Sequence, residues 1–255
     1  YGIYTVSQSI FDIFTSLFCL SILMMAANGR IFGYGLASIL FSIFSTYWLT
    51  KNGYLKLNFD TKSMWVNLHF GLYLLPHAIS AWVVININRF LIAEFIDNTQ
   101  VGIYFVATQI GMIVTFLAVS TQKALIPYVF ELLSDSEPLQ SSKSKVVKTA
   151  YYYFAAIIVL SSLCFFVFSL ILNNYAGGIY SPSADILGWI MLGACFHAMG
   201  MIFTNIILYS KRTLFLSVST ITSAIIHVPI AIWFIKNHSV EGAAISFFIT
   251  SFLSF

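Results

Sequence analysis

His77, Ser80, Val84 and Asn88 are separated by steps of three, four and four, which places them on one stripe of a helix. Arg89 follows directly, and its long side chain can swing to the same side. Three further sets have helical spacing: Tyr104, Thr108, Gly111, Thr115 and Gln122, ending at Lys123; Gly193, His197, Gly200 and Thr204; and Thr220, Ser223 and His227, with Pro229 two residues on. Guanidinium and ammonium groups attract anions. Imidazoles, amides and hydroxyls exchange hydrogen bonds with neutral polar solutes, and an imidazole can also carry a proton. Polar stripes on four neighbouring helices make a hydrophilic, mildly basic vestibule. No His-x-x-x-Asp pair, metal-ligand cluster or phosphate-cradling glycine loop accompanies them, so no enzyme, cofactor or metal is expected.

The elements that must position these residues follow from composition. Of 255 residues, 59% are apolar, 17% aromatic and 8% charged. Soluble domains hold about 45–50% apolar and about 25% charged residues, so the chain cannot cover a water-facing surface. A net charge of +3 gives no reason to expect nucleic acid. Cys19, Cys164 and Cys195 lie inside apolar runs and read as buried small hydrophobes.

A helix needs about 20 mostly apolar residues to cross a bilayer. Runs of that kind occupy 6–27, 31–50, 70–93, 101–122, 149–172, 186–209 and 214–235, and another begins at Gly242. Lipid requires each segment to satisfy its own backbone, and the runs lack the alternation of barrel strands. The expected fold is therefore all-α, a polytopic transmembrane bundle of about eight spans. Trp48, Tyr151, Tyr152, Tyr153 and Tyr209 stand at span ends, where amphipathic rings anchor at headgroups. The chain opens on Tyr1 and ends at Phe255 within an apolar run, which reads as a fragment of a longer protein.

Basic residues set the orientation. One set of alternate loops holds Arg30, Arg89 and Lys236; the other holds Lys51, Lys56, Lys62, Lys123, Lys143, Lys145, Lys148, Lys211 and Arg212. The positive-inside rule assigns the larger set to the cytoplasm. The stretch from Lys123 to Lys148 then reads as a cytoplasmic, Ser-rich loop. An internal repeat aligns Gly35-Leu36-Ala37 and Phe41 with Gly242-Ala243-Ala244 and Phe248, each after a short polar turn (Asn28-Gly29-Arg30; Lys236-Asn237-His238). Four matched positions do not by themselves carry a fold. Parallel repeats are nonetheless one transporter architecture.

From the third span onward the sequence resembles a known family. The run Phe70-Gly71-Leu72-Tyr73-Leu74-Leu75-Pro76-His77-Ala78-Ile79-Ser80 leads to Asn88-Arg89-Phe90-Leu91-Ile92, then Val101-Gly102-Ile103-Tyr104 and Gln122-Lys123-Ala124-Leu125-Ile126-Pro127-Tyr128. Their order and spacing resemble the polysaccharide (O-antigen-type) flippases of the multidrug/oligosaccharidyl-lipid/polysaccharide exporter superfamily. That family opens its second half with G-x-P-L-x-P-H, D-R-F and V-G-x-Y. Two positions depart: Tyr73 stands where Pro or a similar residue is common, and Asn88 replaces the usual acid before Arg89.

The resemblance implies two six-helix lobes that rock about a central cavity. Residues 1–56 would be the last two helices of the first lobe, and 57–255 most of the second, with its last helix truncated. It implies a bacterial cytoplasmic (inner) membrane protein that flips a polyprenyl-pyrophosphate-linked oligosaccharide for surface polysaccharide synthesis. Implied partners are that lipid-linked substrate, membrane lipid, a polysaccharide polymerase with chain-length proteins, and a coupling proton or sodium ion. Under that reading Arg89 and Lys123 hold the diphosphate, since a guanidinium forks onto phosphate oxygens. His77, Asn88, Gln122, His197 and His227 are candidates for glycan contacts or proton coupling. Asp12, an acid within the first span, is the candidate for ion coupling.

Each residue also has a structural reading. Arg89 can snorkel to the interface, and Lys123 can simply fix topology. The three histidines can be helix–helix hydrogen bonds, and Asp12 can lie at the headgroups. Two other functions compete. A drug or metabolite cation antiporter of the same superfamily needs carboxylates in its cavity, and spans three to seven carry none between their ends. A polytopic enzyme of polysaccharide synthesis needs a large charged external loop or an acyltransfer motif, and neither is present.

Overall fold

A computed structural model describes residues 2–21, 26–54, 60–134, 139–175, 180–210 and 213–255. All of its regular elements are helices: α1 (Gly2–Ser21), α2 (Ala26–Lys51), α3 (Thr61–Phe95), α4 (Asn98–Ser134), α5 (Leu139–Tyr175), α6 (Ser183–Tyr209) and α7 (Thr213–Ser254). The described residues include six helices long and apolar enough to cross a membrane, with Val6–Leu20 as a shorter apolar helix. The expected all-α bundle is thus the fold. The chain divides into two compact units, Tyr1–Met64 and Trp65–Phe255.

The first unit is a helical hairpin. The Thr15 hydroxyl donates to the Gly33 carbonyl at 3.1 Å, and the Tyr4 hydroxyl to the Phe41 carbonyl at 3.1 Å. A Cβ on Gly33 would stand 2.5 Å from the Ser16 Cα, so only glycine lets the two backbones meet there. Asn28-Gly29-Arg30, expected to be a turn, lies inside α2. A turn residue cannot be told from a helix-packing glycine by type alone, and here close packing decides.

In the second unit α6 is the central rod. It is mostly apolar, with Ile186, Leu187, Ile190, Met191, Ala194, Ala198 and Ile202 buried, and it packs against α4, α5 and α7. The facing side of α4 is a helical stripe of Tyr104, Ala107, Val114 and Ala118, all buried. Ile158, Val159, Leu163, Phe166 and Leu170 of α5 are exposed, as residues facing acyl chains must be. Cys19, Cys164 and Cys195 are buried and free, as expected.

Three expectations are corrected. Most of the stretch 123–148 is helical, since α4 continues to Ser134 and α5 starts at Leu139, and 135–138 lie outside the described residues. Each of these helices has 37 residues, about 55 Å at 1.5 Å per residue, against a hydrocarbon core of about 30 Å. Their polar ends remain helical because water can solvate a helix with no partner. Tyr153 is not an interfacial anchor either. It is 3% exposed, and its hydroxyl donates to the Ala198 carbonyl at 2.8 Å, whereas Tyr151 and Tyr152 are 69% and 67% exposed. One helical step turned the third ring inward.

The third correction concerns the turn expected at Lys236-Asn237-His238, which is helical. Ser239, at φ 55° and ψ −136°, breaks α7 into two arms, 213–238 and 240–254. A Cβ on Gly242 would lie 2.0 Å from the Phe234 carbonyl oxygen, so the arms fold back on each other. The second arm is the eighth helix begun at Gly242.

Candidate functional site

Arg89 lies near the C-terminal end of α3, half-buried against α4. Its guanidinium sits over the Phe105 ring, 4.8 Å from the centroid, and Nη2 donates to the Thr108 hydroxyl at 3.3 Å. Nε is buried with no hydrogen-bond partner. Among the described residues no carboxylate pairs with it. A cation held on an aromatic face, with donors left over, is poised for an anion.

The group lines a cavity of about 380 Å³ enclosed by α3, α4, α6 and the second arm of α7. Thr108, Thr115, Tyr104 and His197 are its other polar residues. Ile85, Met112, Phe116, Ile190, Ala194 and Phe247 form most of the wall. The cavity is therefore largely apolar with a few convergent polar groups, the usual make-up of a ligand pocket. Phe116, 70% exposed, stands at its rim.

A second cavity of about 150 Å³ lies among α3, α6 and both arms of α7, toward the N-terminal half of α3. His77, Ser80, Thr204, Ser219, Thr220, Ser223, Thr250 and Ser254 face it, so its polar lining is mostly hydroxyls. His77 Nδ1 lies 3.2 Å from the Thr220 hydroxyl, which ties α3 to the first arm of α7. His197 is on the wall of both cavities. On α3 the boundary passes between Val84, in the hydroxyl cavity, and Ile85, in the Arg89 cavity. The cation thus lines one cavity and most of the hydroxyls the other, with His197 common to both walls.

The other candidates stand elsewhere. Asn88 is fully buried, and its amide donates to the Tyr104 hydroxyl and to the Ala243 carbonyl, both at 3.0 Å. It clamps three helices and does not pair with Arg89. Gln122, also buried, accepts from the Asn205 amide at 2.6 Å, joining α4 to α6. His227 is fully buried, with Nδ1 2.7 Å from the Thr250 hydroxyl across the arms of α7. Asn88 Oδ1, Gln122 Nε2 and His227 Nε2 are buried without partners. Lys123 is exposed on α4 and faces neither cavity. Asp12 lies in the first unit, where Ser16 Oγ donates to its Oδ1 at 3.4 Å. Among the described residues no cluster of three His, Cys, Asp or Glu could hold a metal ion.

Sequence reasoning missed Thr250, Asn205 and Phe105. A signal for the first existed: Ser246, Thr250 and Ser254 recur at four-residue steps, a polar stripe on the eighth helix. Phe105 and Asn205 offered no such pattern, because their importance comes from the partner each meets.

Residues 3–175 match a family described as polysaccharide biosynthesis protein, a match that takes in α1 through α5. No curated protein and no solved structure matches the chain.

Proposed function

The chain belongs to the polysaccharide biosynthesis protein family and is a multi-pass membrane protein with a role in that synthesis; from that premise we propose that it flips a polyprenyl-diphosphate-linked oligosaccharide across the bacterial cytoplasmic membrane. The observation that carries the reading is the order of the two chambers. Such a cargo presents a diphosphate and then a glycan, and the chambers present a guanidinium and then a row of hydroxyls. Arg89 takes the diphosphate, with Thr108 as its hydroxyl neighbour. His77, Thr220 and Ser223 offer donors and acceptors to the sugars. The lipid tail leaves past the exposed Phe116 and remains in the bilayer.

Neither chamber is lined by Asp or Glu, which favours this anionic cargo over the cations of a drug antiporter. Transport, not bond-making, is the work assigned to the site. Movement follows from different affinity for inward- and outward-open states, since a ligand that binds both equally shifts neither. Asn88, Gln122 and His227 hold helices in register around the chambers, and their roles in the cycle are positional. Asp12 remains the candidate for coupling to a proton or sodium gradient, and Lys123 for attracting the anion to the cytoplasmic face. With the lysine-rich loops inside, Arg89 falls toward the outer end of its span.

Complementation tests the proposal. Expression in a bacterium lacking its own oligosaccharide flippase, together with the glycosyltransferases for the matching glycan, should restore surface polysaccharide. Accumulation of the lipid-linked oligosaccharide on the inner leaflet, with the protein present in the membrane, would refute it.

A further inference from the structure

A further cavity belongs to neither chamber. A groove of about 920 Å³ runs between α5 and α6, walled by Phe154, Ile158, Phe165, Met191, Phe196 and Met199. Along α5 it extends from Tyr151 to Phe166, about 22 Å at helical rise. Half of the hydrocarbon core is about 15 Å, so the groove is longer than one leaflet is deep. It lies within apolar, membrane-spanning helix, and a space lined this way stays dry. Left empty, it would forfeit the dispersion contacts of every wall residue.

One charge marks its end. Tyr151, Ala155, Ile158 and Ser162 form the groove face of α5. Lys148, seven residues before Ala155, continues that stripe by one turn. Its ammonium stands 5.9 Å from the centroid of the ring of Tyr152, the sequence neighbour of the groove residue Tyr151. No acid lines the groove. A long apolar slot with a cation at its mouth has the form of one lipid molecule.

We infer that the α5–α6 groove is a resident site for an anionic phospholipid, its acyl chain lying along Phe154, Ile158 and Phe165 and its phosphate at Lys148. The tail of the proposed cargo is a poorer occupant. Phe196 lines both this groove and the hydroxyl chamber, and His197 lines both that chamber and the Arg89 cavity. The spatial order is therefore groove, hydroxyls, guanidinium. The cargo's covalent order is tail, diphosphate, sugars, which does not fit. The site stands independently of the transport reading.

Photo-crosslinking tests it on the full chain in nanodiscs. The probe is a phosphatidylglycerol with a diazirine in its acyl chain, and phosphatidylcholine with the same chain is the comparison. Labelling is expected within 151–166 of α5 and 188–199 of α6, and to be displaced by unlabelled phosphatidylglycerol. Lys148→Gln should weaken capture of the anionic probe roughly fivefold and leave the zwitterionic one unchanged. Ala155→Trp should abolish both by filling the groove. Ser162→Trp does the same from a second exposed position, in case the first variant fails to insert. Even labelling over all lipid-facing positions of α5, or equal capture of both probes by the native chain, would overturn the inference. Displacement by a polyprenyl phosphate at lower concentration than by phosphatidylglycerol would likewise overturn it, giving the groove to the cargo's tail.

Discussion

His227 on the first arm of α7 and Thr250 on the second lie 23 residues apart in sequence, yet their side chains meet at 2.7 Å. In one straight helix that separation would be about 35 Å. The bond closes a hairpin whose turn is Ser239, the non-glycine residue with positive φ. Thr250 also lines the hydroxyl chamber, so the hairpin delivers part of the candidate site.

The turn can be tested by substitution. A non-glycine residue held in such a conformation costs about 1–3 kcal/mol. Ser239→Gly should therefore raise the melting temperature of the detergent-solubilised protein. Gly242→Leu should lower it and reduce the membrane level of the protein, because a side chain there would collide with the Phe234 carbonyl. A stable Gly242→Leu protein would show that the arms do not close.

His197 lines both chambers. Its replacement by Phe keeps bulk and removes both ring nitrogens. We expect normal insertion and thermal stability, with export of surface glycan reduced at least about tenfold, as for loss of one well-placed polar contact in a dry site. His197→Gln, which keeps hydrogen bonding but cannot carry a proton, separates two roles. Export near the native level means that the residue contacts cargo, and export as low as that of the Phe variant means that it moves a proton.

Asp60 caps α3 outside its membrane-spanning stretch. Its carboxylate accepts from the Ser63 hydroxyl and from the backbone N–H groups of Lys62 and Ser63, the latter two at 3.1 and 3.3 Å. These bonds, chiefly that of the Ser63 side chain, hold its pKa below the ordinary carboxylate value. The cap therefore contributes fully above the unfolded carboxyl pKa of about 3.9 and is lost as pH falls through the lower folded value. Amide exchange in the first turn of α3, corrected for intrinsic rates, should quicken only below that range. Asp60→Asn, an equally good cap, should abolish the pH dependence.

The fold was legible because a lipid solvent leaves few options. Apolar runs of span length, with their backbones satisfied internally, can only be helices, and the eighth helix was visible from Gly242 onward. Helix ends were less legible: α4 and α5 pass through Lys123 and Lys148 because water supports a polar helix as well as a loop. Within the site, spacing placed His77, Thr220 and His197 on faces that do converge. Spacing alone could not separate residues that line a chamber from residues that join helices. Asn88 and His227 shared stripes with His77 and Thr220, and their polar groups met Tyr104, Ala243 and Thr250 instead. Arg89 was readable as a cation near the C-terminal end of its span. Its seat on Phe105 was not, because one helix's sequence does not record which ring another helix brings opposite.

The account rests most directly on Arg89 as the receptor for the cargo's diphosphate. The decisive measurement is binding of a fluorescent polyprenyl-diphosphate oligosaccharide to the native chain, Arg89→Lys and Arg89→Ala in nanodiscs, each checked for equal thermal stability. Charge-assisted bonds to phosphate contribute about 1.5–3 kcal/mol, so the Ala variant should bind roughly 10- to 100-fold more weakly. The Lys variant should fall between, because an ammonium keeps the charge without the fork. Native affinity in the Ala variant would contradict the account.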